Sequence, residues 1–268
     1  MTALASEIAR FNRLSATWWN AAGPMRPLHV VNALRQEYIG ARIAARFGRT
    51  GPAPLAGIRI VDIGCGAGLL CEPLARRGAR VTGVDAAAGN VAAARIHAAR
   101  EGLAIDYRHG EPAAALRDDE RYDVVLLLEV VEHVDDVEGL VRRAARHVAP
   151  GGLLFVSTID RTWKSFAFAI VGAEYLFRVL PRGTHDWRRF VRPRELAALA
   201  TRAGLALSDL RGMRYLPVLH RASWVRDTSV NYIAEFAHDD GPPPSAAARA
   251  AGTRACTEAG SEASCASC

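Results

Sequence analysis

The chain has 268 residues, 50% of them hydrophobic and 23% charged, with 34 basic against 28 acidic side chains and a net charge of +6. That length suits one α/β domain with decoration, and the apolar fraction excludes disorder for most of it. No apolar run reaches the roughly 18 residues that span a bilayer. The first ten residues, which carry Glu7 and Arg10, lack an apolar signal core, so a cytoplasmic protein is expected. The basic excess is arginine scattered along the chain, Lys164 being the only lysine. It reads as compositional bias, and no nucleic-acid-binding module accompanies it.

From Ser6 to about Phe47 the pattern is helical, with a break at Gly23-Pro24 and Pro27. Thr50-Gly51-Pro52-Ala53-Pro54 is linker-like. Strands and helices then alternate. Ile58–Ile63 is a strand ending in glycines, and Leu69–Arg77 is a helix. Val81–Val84 is a second strand, followed by a helix over Gly89–Arg100, and Ala104–Tyr107 is a weaker third. Tyr122–Leu128 is nearly all apolar, as a central parallel strand buried on both faces must be. A helix over Val137–Val148 and a strand over Leu153–Ser157 complete the alternation. An aromatic-rich insertion follows from Asp160 to Phe190, then a helix from Pro193 to Ala203. Strands over Ala206–Leu210 and Val230–Phe236 close the domain. The predicted fold is α/β: a doubly wound, Rossmann-like, mostly parallel sheet with N-terminal helices and a helical insertion. Residues 1–50 form the helical preface, 51–238 the domain, and 239–268 a polar tail with nothing to offset its ordering entropy.

Cys65 and Cys71 lie in the domain, and Cys256, Cys265 and Cys268 in the tail. Odd in number and uneven in spacing, they do not form a disulfide framework. The single C-x-x-C lacks the second pair that a zinc site needs.

The strongest local motif is Val61-Asp62-Ile63-Gly64-Cys65-Gly66-Ala67-Gly68, between the first strand and the first following helix. Glycine is required where the backbone turns sharply and a ligand approaches main-chain atoms. Asp85 ends the second strand at the offset expected of a carboxylate that binds ribose hydroxyls. The dinucleotide fingerprint G-x-G-x-x-G would place its third glycine at position 69, which is Leu69. Here the spacing is G-x-G-x-G after the acidic Asp62. That pattern resembles motif I of S-adenosylmethionine-dependent methyltransferases, and a carboxylate suits a sulfonium ligand better than a pyrophosphate.

The fourth strand runs into Leu128-Glu129-Val130-Val131-Glu132-His133, at the end of the sheet where ligands bind. A helical turn starting at Glu129 would put Glu132 and His133 on its own face. Two carboxylates and an imidazole there suit a divalent cation or proton transfer. Alternatively Glu129 contacts the cofactor, Glu132 caps a helix and His133 packs on an adenine.

Beyond this core the sequence resembles the ubiquinone-biosynthesis O-methyltransferase family over roughly Glu7–Phe236. Trp18-Trp19, Pro27-Leu28-His29 and Asn32-Ala33-Leu34-Arg35 match its N-terminal signature. Val171-Gly172-Ala173-Glu174-Tyr175 and Pro181-Arg182-Gly183-Thr184-His185-Asp186 match its insertion, and Val230-Asn231-Tyr232 its last strand. The resemblance implies a seven-stranded sheet and S-adenosylmethionine contacts at Arg35, Gly64, Asp85 and Leu128, beside Asp62 and Gly66 of the loop. It implies a magnesium site at Glu129, Glu132 and His133. Arg35 is a candidate only by resemblance; its guanidinium would grip the methionine carboxylate. Ala33, Ala67 and Ser229 depart from the family pattern but touch none of these contacts.

The implied reaction is methyl transfer to phenolic hydroxyls of polyprenyl-hydroxyphenol and demethylubiquinol substrates. A cation would favour the phenolate. Without one, His133 would be the base, assisted by Glu132, with His185 in reserve. In the insertion, Trp163, Phe166, Phe168, Tyr175, Phe177 and Trp187 are flanked by Lys164, Arg178, Arg182, Arg188 and Arg189. Residues 163–189 therefore suit an anionic membrane surface or a lid over the site. The implied location is cytoplasmic, peripheral on the inner face of the bacterial inner membrane. The competing readings are a methyltransferase for another lipid or aromatic metabolite, or a non-catalytic subunit of a quinone-biosynthesis complex.

Overall fold

The computed structural model describes residues 5–23, 25–165 and 187–238. Its helices are α1 (Ala5–Leu14), α2 (Arg26–Arg46), α3 (Cys71–Arg76), α4 (Ala88–Arg100), α5 (Pro112–Ala115), α6 (Val137–Arg146), the single turn α7 (Trp163–Ser165) and α8 (Pro193–Arg202). Its strands are β1 (Arg59–Ile63), β2 (Arg80–Asp85), β3 (Asp106–His109), β4 (Tyr122–Leu128), β5 (Val148–Ile159), β6 (Leu205–Leu216), β7 (Arg221–Val225) and β8 (Asn231–His238).

The eight strands form one sheet in the order β3-β2-β1-β4-β5-β8-β6-β7. β1 to β5 pair in parallel; β8 runs antiparallel between β5 and β6, and β7 hangs on β6 as an antiparallel edge. The order reverses beside β1, and β1 and β4 diverge there into the loops that shape the ligand crevice. β4 is the middle of the fold because its apolar side chains can be covered on both faces. Val125 and Leu127 pack into one core layer with α6 and α8; Val124 and Leu126 pack into the other with α2 and α3.

Among the described residues eight strands stand where seven were expected. The additional one, β7, has the sequence Arg-Ala-Ser-Trp-Val and is only half-buried, so it lacks the apolar run that marks the inner strands. Its register is set by the hairpin with β6, whose tip turns at His220 with φ 46°. β5 and β6 are also longer than predicted: tertiary pairing extends strands through Pro150-Gly151-Gly152 and past Leu210. Pro27 does not break a helix but sits in the first turn of α2, where its missing N–H costs nothing. Most of the insertion, including His185, and the whole tail from 239 with its three cysteines lie outside the described residues.

α2 is the element that matters most for the site. It is a long helix whose Tyr38, Ile39 and Ile43 pack into the second core layer. Its polar anchors reach the antiparallel half of the sheet. Arg42 donates from Nε and Nη2 to the Glu235 carboxylate of β8, at 2.5 and 2.8 Å, and the Tyr38 hydroxyl donates to Asp209 at 2.7 Å. Glu235 is only 3% exposed, so loss of Arg42 would strand a buried charge. Arg42→Ala is expected to lower the unfolding free energy by about 3 kcal/mol, measured by urea denaturation.

Candidate active site

A cavity of about 340 Å³ opens at the carboxyl ends of β1, β2 and β4, under α1 and the start of α2. Its walls include Arg35, Asp62, Gly64, Gly66, Asp85, Leu128, Glu129, Glu132 and His133. The structure thus brings every cofactor and metal candidate read from the sequence to one crevice, although they come from four separate stretches of chain.

The glycine loop is shaped by conformations that other residues resist. Gly64 and Gly66 have φ of 78° and 55°. A Cβ on Gly64 would lie 2.3 Å from the Val130 side chain, and one on Gly66 2.7 Å from the Trp18 ring. Trp19 secures the same loop: its Nε1 donates to the Ala67 carbonyl at 3.1 Å, and its ring stacks on His97 at 3.4 Å. The tryptophan pair of the N-terminal signature is therefore part of the loop's support. Asp85 accepts from the N–H groups of Gly66 and Ala87, at 2.9 and 2.8 Å, and from Asn90 Nδ2 at 3.2 Å. A carboxylate has about four acceptor positions, which leaves capacity for ribose hydroxyls. Burial raises its pKa.

Asp62 is buried, accepts from the Cys71 thiol at 3.3 Å, and is pushed up to about 7, chiefly by burial. A cationic sulfonium nearby would favour its charged form. Arg35 is 2% exposed. Its Nη2 donates to Glu129 Oε1, its Nη1 to Asn32 Oδ1, and its Nε has no partner. Trp18 Nε1 and Asn90 Oδ1 are likewise buried without a partner and line the same cavity. Three orphaned polar groups, two cramped glycines and a carboxylate at a strand end fit a zwitterionic nucleoside ligand such as S-adenosylmethionine. Neither Trp18 nor Asn90 was singled out as a ligand contact from the sequence, because nothing local marks a residue that becomes buried only on folding.

The acidic cluster differs from the expected turn. Glu129 stands outside the 3-10 turn Val131–His133 and has φ 55°, a left-handed conformation costly for a residue with a Cβ. Its N–H donates to the Ser157 carbonyl and its Oε1 accepts from Ser157 Oγ, both at 2.9 Å, while Arg35 takes the same oxygen. Glu132 instead accepts from Thr158 Oγ1 at 2.9 Å, and His133 Nδ1 lies 2.9 Å from Glu7 of α1. The three side chains therefore turn to three different partners. Among the described residues no group of three or more His, Cys, Asp or Glu side chains gathers as a metal site. This donor set does not fit the magnesium ion implied by resemblance, since Glu129 is committed to a guanidinium while Glu132 and His133 turn to Thr158 and Glu7.

Solved structures share the fold. The magnesium protoporphyrin IX methyltransferase of Synechocystis, solved with bound S-adenosylmethionine, matches with a TM-score of 0.60 at 18% identity, covering 89% of this chain and 100% of that one. The methyltransferase-domain family matches residues 34–210. Fold and crevice together define an S-adenosylmethionine-dependent methyltransferase. Among curated proteins, the ubiquinone biosynthesis O-methyltransferase of Methylobacterium sp. (strain 4-46) is 52% identical over 231 residues, covering 85% of this chain and 93% of the relative. That of Brucella anthropi is 51% identical with the same coverage. The chain belongs to the ubiquinone biosynthesis O-methyltransferase family.

Two outcomes follow from this geometry. Arg35→Ala is expected to weaken S-adenosylmethionine binding by about 2 kcal/mol, roughly 30-fold, measured by titration calorimetry. Burial, with Glu129 next, holds the Glu132 proton on well above the ordinary carboxylate range. The unfolded chain releases that proton at lower pH than the native one, so stability falls as pH rises between the two values. Glu132→Gln should remove this slope. Its Tm advantage over the native protein should therefore widen from about pH 5 to pH 8, read by scanning calorimetry.

Proposed function

We propose that this crevice methylates a phenolic hydroxyl of polyprenyl-hydroxyphenol and demethylubiquinol substrates, with His133 as proton acceptor and Glu132 beside it. The carrying observation is that Arg35, Asp85 and the glycine loop share one cavity with Glu132 and His133, so the groups suited to a donor and to an acceptor face a common space. Bound S-adenosylmethionine supplies an electrophilic methyl that the incoming oxygen takes by in-line displacement. Arg35 would hold the methionine carboxylate, and Asp85 the ribose hydroxyls. Gly64 and Gly66 let the main chain approach the ligand without a Cβ between them. The phenol, with an ordinary pKa of about 10, must lose its proton before or during attack. An imidazole is matched to that task near neutral pH. Glu132, buried beside His133 in the sequence and kept protonated by that burial, lines the same cavity as a neutral neighbour of the acceptor.

The aromatic, basic stretch 163–189 is read as the part that meets an anionic membrane surface, where a polyprenyl acceptor resides. Trp163 is 77% exposed next to Lys164, while 166–186 lie outside the described residues. No helix among the described residues is long and apolar enough to cross a membrane. An attachment to the inner face of the bacterial inner membrane, alone or within a quinone-biosynthesis complex, is part of the same reading.

Labelled S-adenosylmethionine with a demethylated quinol extract tests the proposal: the label should appear in a polyprenyl phenol ether. His133→Ala should lower kcat by about 10²–10⁴-fold with the S-adenosylmethionine Kd unchanged; unchanged kcat sinks the base assignment. Running the assay in EDTA and with added magnesium shows whether the cation implied by the resemblance takes part.

A further inference from the structure

We infer that Glu7, on the first helix of the chain, is a positioning residue that fixes the tautomer and orientation of His133 for methyl transfer. The inference rests on the reading of His133 as the proton acceptor. The Glu7 carboxylate lies 2.9 Å from His133 Nδ1, with both side chains about four-fifths buried. Phe11, one helical turn after Glu7, presents its ring edge-on to the imidazole, with centroids 5.5 Å apart and planes at 88°. Residues four apart on a helix share a face, so a single face of α1 supplies both a carboxylate and an aromatic wall to one imidazole ring. Glu7, Phe11 and His133 all line the cavity.

The helix that carries this pair is itself held in place. Asn12, the residue after Phe11, accepts through Oδ1 from the Gly89 N–H of α4 at 2.8 Å.

The chemical consequence lies in which nitrogen carries the proton. A neutral imidazole has one N–H and one lone pair. A carboxylate at Nδ1 selects the Nδ1–H tautomer and puts the lone pair on Nε2, the form that a proton acceptor requires. The same carboxylate favours the imidazolium that forms when the phenolic proton arrives at Nε2. No covalent bond to the protein forms in this step; the proton moves from the phenol oxygen to Nε2 as that oxygen bonds to the methyl carbon and the methyl–sulfur bond breaks, its electron pair staying on the sulfur, which leaves as a neutral thioether. Nothing in the local sequence marks Glu7 for such a role, because its partner lies on a different element, after β4.

The test uses the full chain labelled with ¹⁵N-histidine at about pH 8.5, above the ordinary imidazole pKa. The His133 ring signals are assigned by their loss in His133→Gln. In the native protein they should report Nδ1–H. In Glu7→Ala they should move to the other tautomer or to a mixture, with kcat down about 30-fold or more and the S-adenosylmethionine Kd and KM unchanged. Glu7→Gln, whose amide oxygen still accepts from Nδ1–H, should keep the tautomer and recover part of kcat. A ring signal that does not change in Glu7→Ala overturns the inference, as does unchanged kcat. Its failure is separable from that of the wider reading. Activity lost in His133→Gln but kept in Glu7→Ala removes only the role of Glu7, whereas activity kept in both removes His133 as the acceptor. Circular dichroism and retained S-adenosylmethionine binding show that each variant is folded.

Discussion

A guanidinium taken out of water must be paired, and the pairing of Arg35 with Glu129 organises much of this molecule. Arg35 is almost wholly buried in a helix that precedes the whole α/β alternation, and its partner stands just past the central strand. An unpaired buried charge would be far costlier than the strain of the partner. That balance explains why a glutamate tolerates a left-handed conformation at the end of β4. Ser157 supplies two further bonds to Glu129 from β5, so the strained residue is held from three directions. Strain of this kind persists only where the surroundings over-determine it, and it clusters at functional sites.

The pair also decides the character of the crevice. With Glu129 drawn to Arg35, the acidic segment after β4 is split: one carboxylate faces the cofactor side, while Glu132 and His133 face Thr158 and α1. The arrangement separates donor binding from proton handling by a few side chains on one loop. The N-terminal helices serve both sides. α2 delivers Arg35, the Trp18-Trp19 pair braces the glycine loop, and α1 covers the remaining wall with Glu7, Ile8, Phe11 and Leu14.

The legible parts of this structure were those that depend on local pattern. β4 begins and ends where its apolar run does, and the position of Asp85 relative to Gly66 follows from the strand–loop–helix–strand geometry of the motif. The glycine loop could be read because its cramped main chain admits so few residues. What could not be read depends on partners distant in sequence. β7 is a strand only because β6 offers it an edge. Glu129 leaves the expected helical turn because an arginine nearly a hundred residues earlier claims its carboxylate. The orphaned groups of Trp18 and Asn90 become conspicuous only once water is excluded around them. Resemblance supplied Arg35, but not its partner.

The anchoring of α2 bears on how the chain comes to be assembled. The helix that holds Arg35 is synthesised early, yet Arg42 and Tyr38 on it are secured by Glu235 and Asp209, which emerge late. β8, which carries Glu235, inserts between β5 and β6 and is the last strand of the sheet in sequence. Until it is made, β5 lacks its antiparallel neighbour and α2 lacks the carboxylate that fixes it. During synthesis, which proceeds from the N-terminus, the parallel half can pair first. The helix that completes the donor pocket is fully anchored only when nearly the whole domain has left the ribosome, so a chain truncated before β8 would pair Arg35 with Glu129 from a helix that lacks its Glu235 anchor.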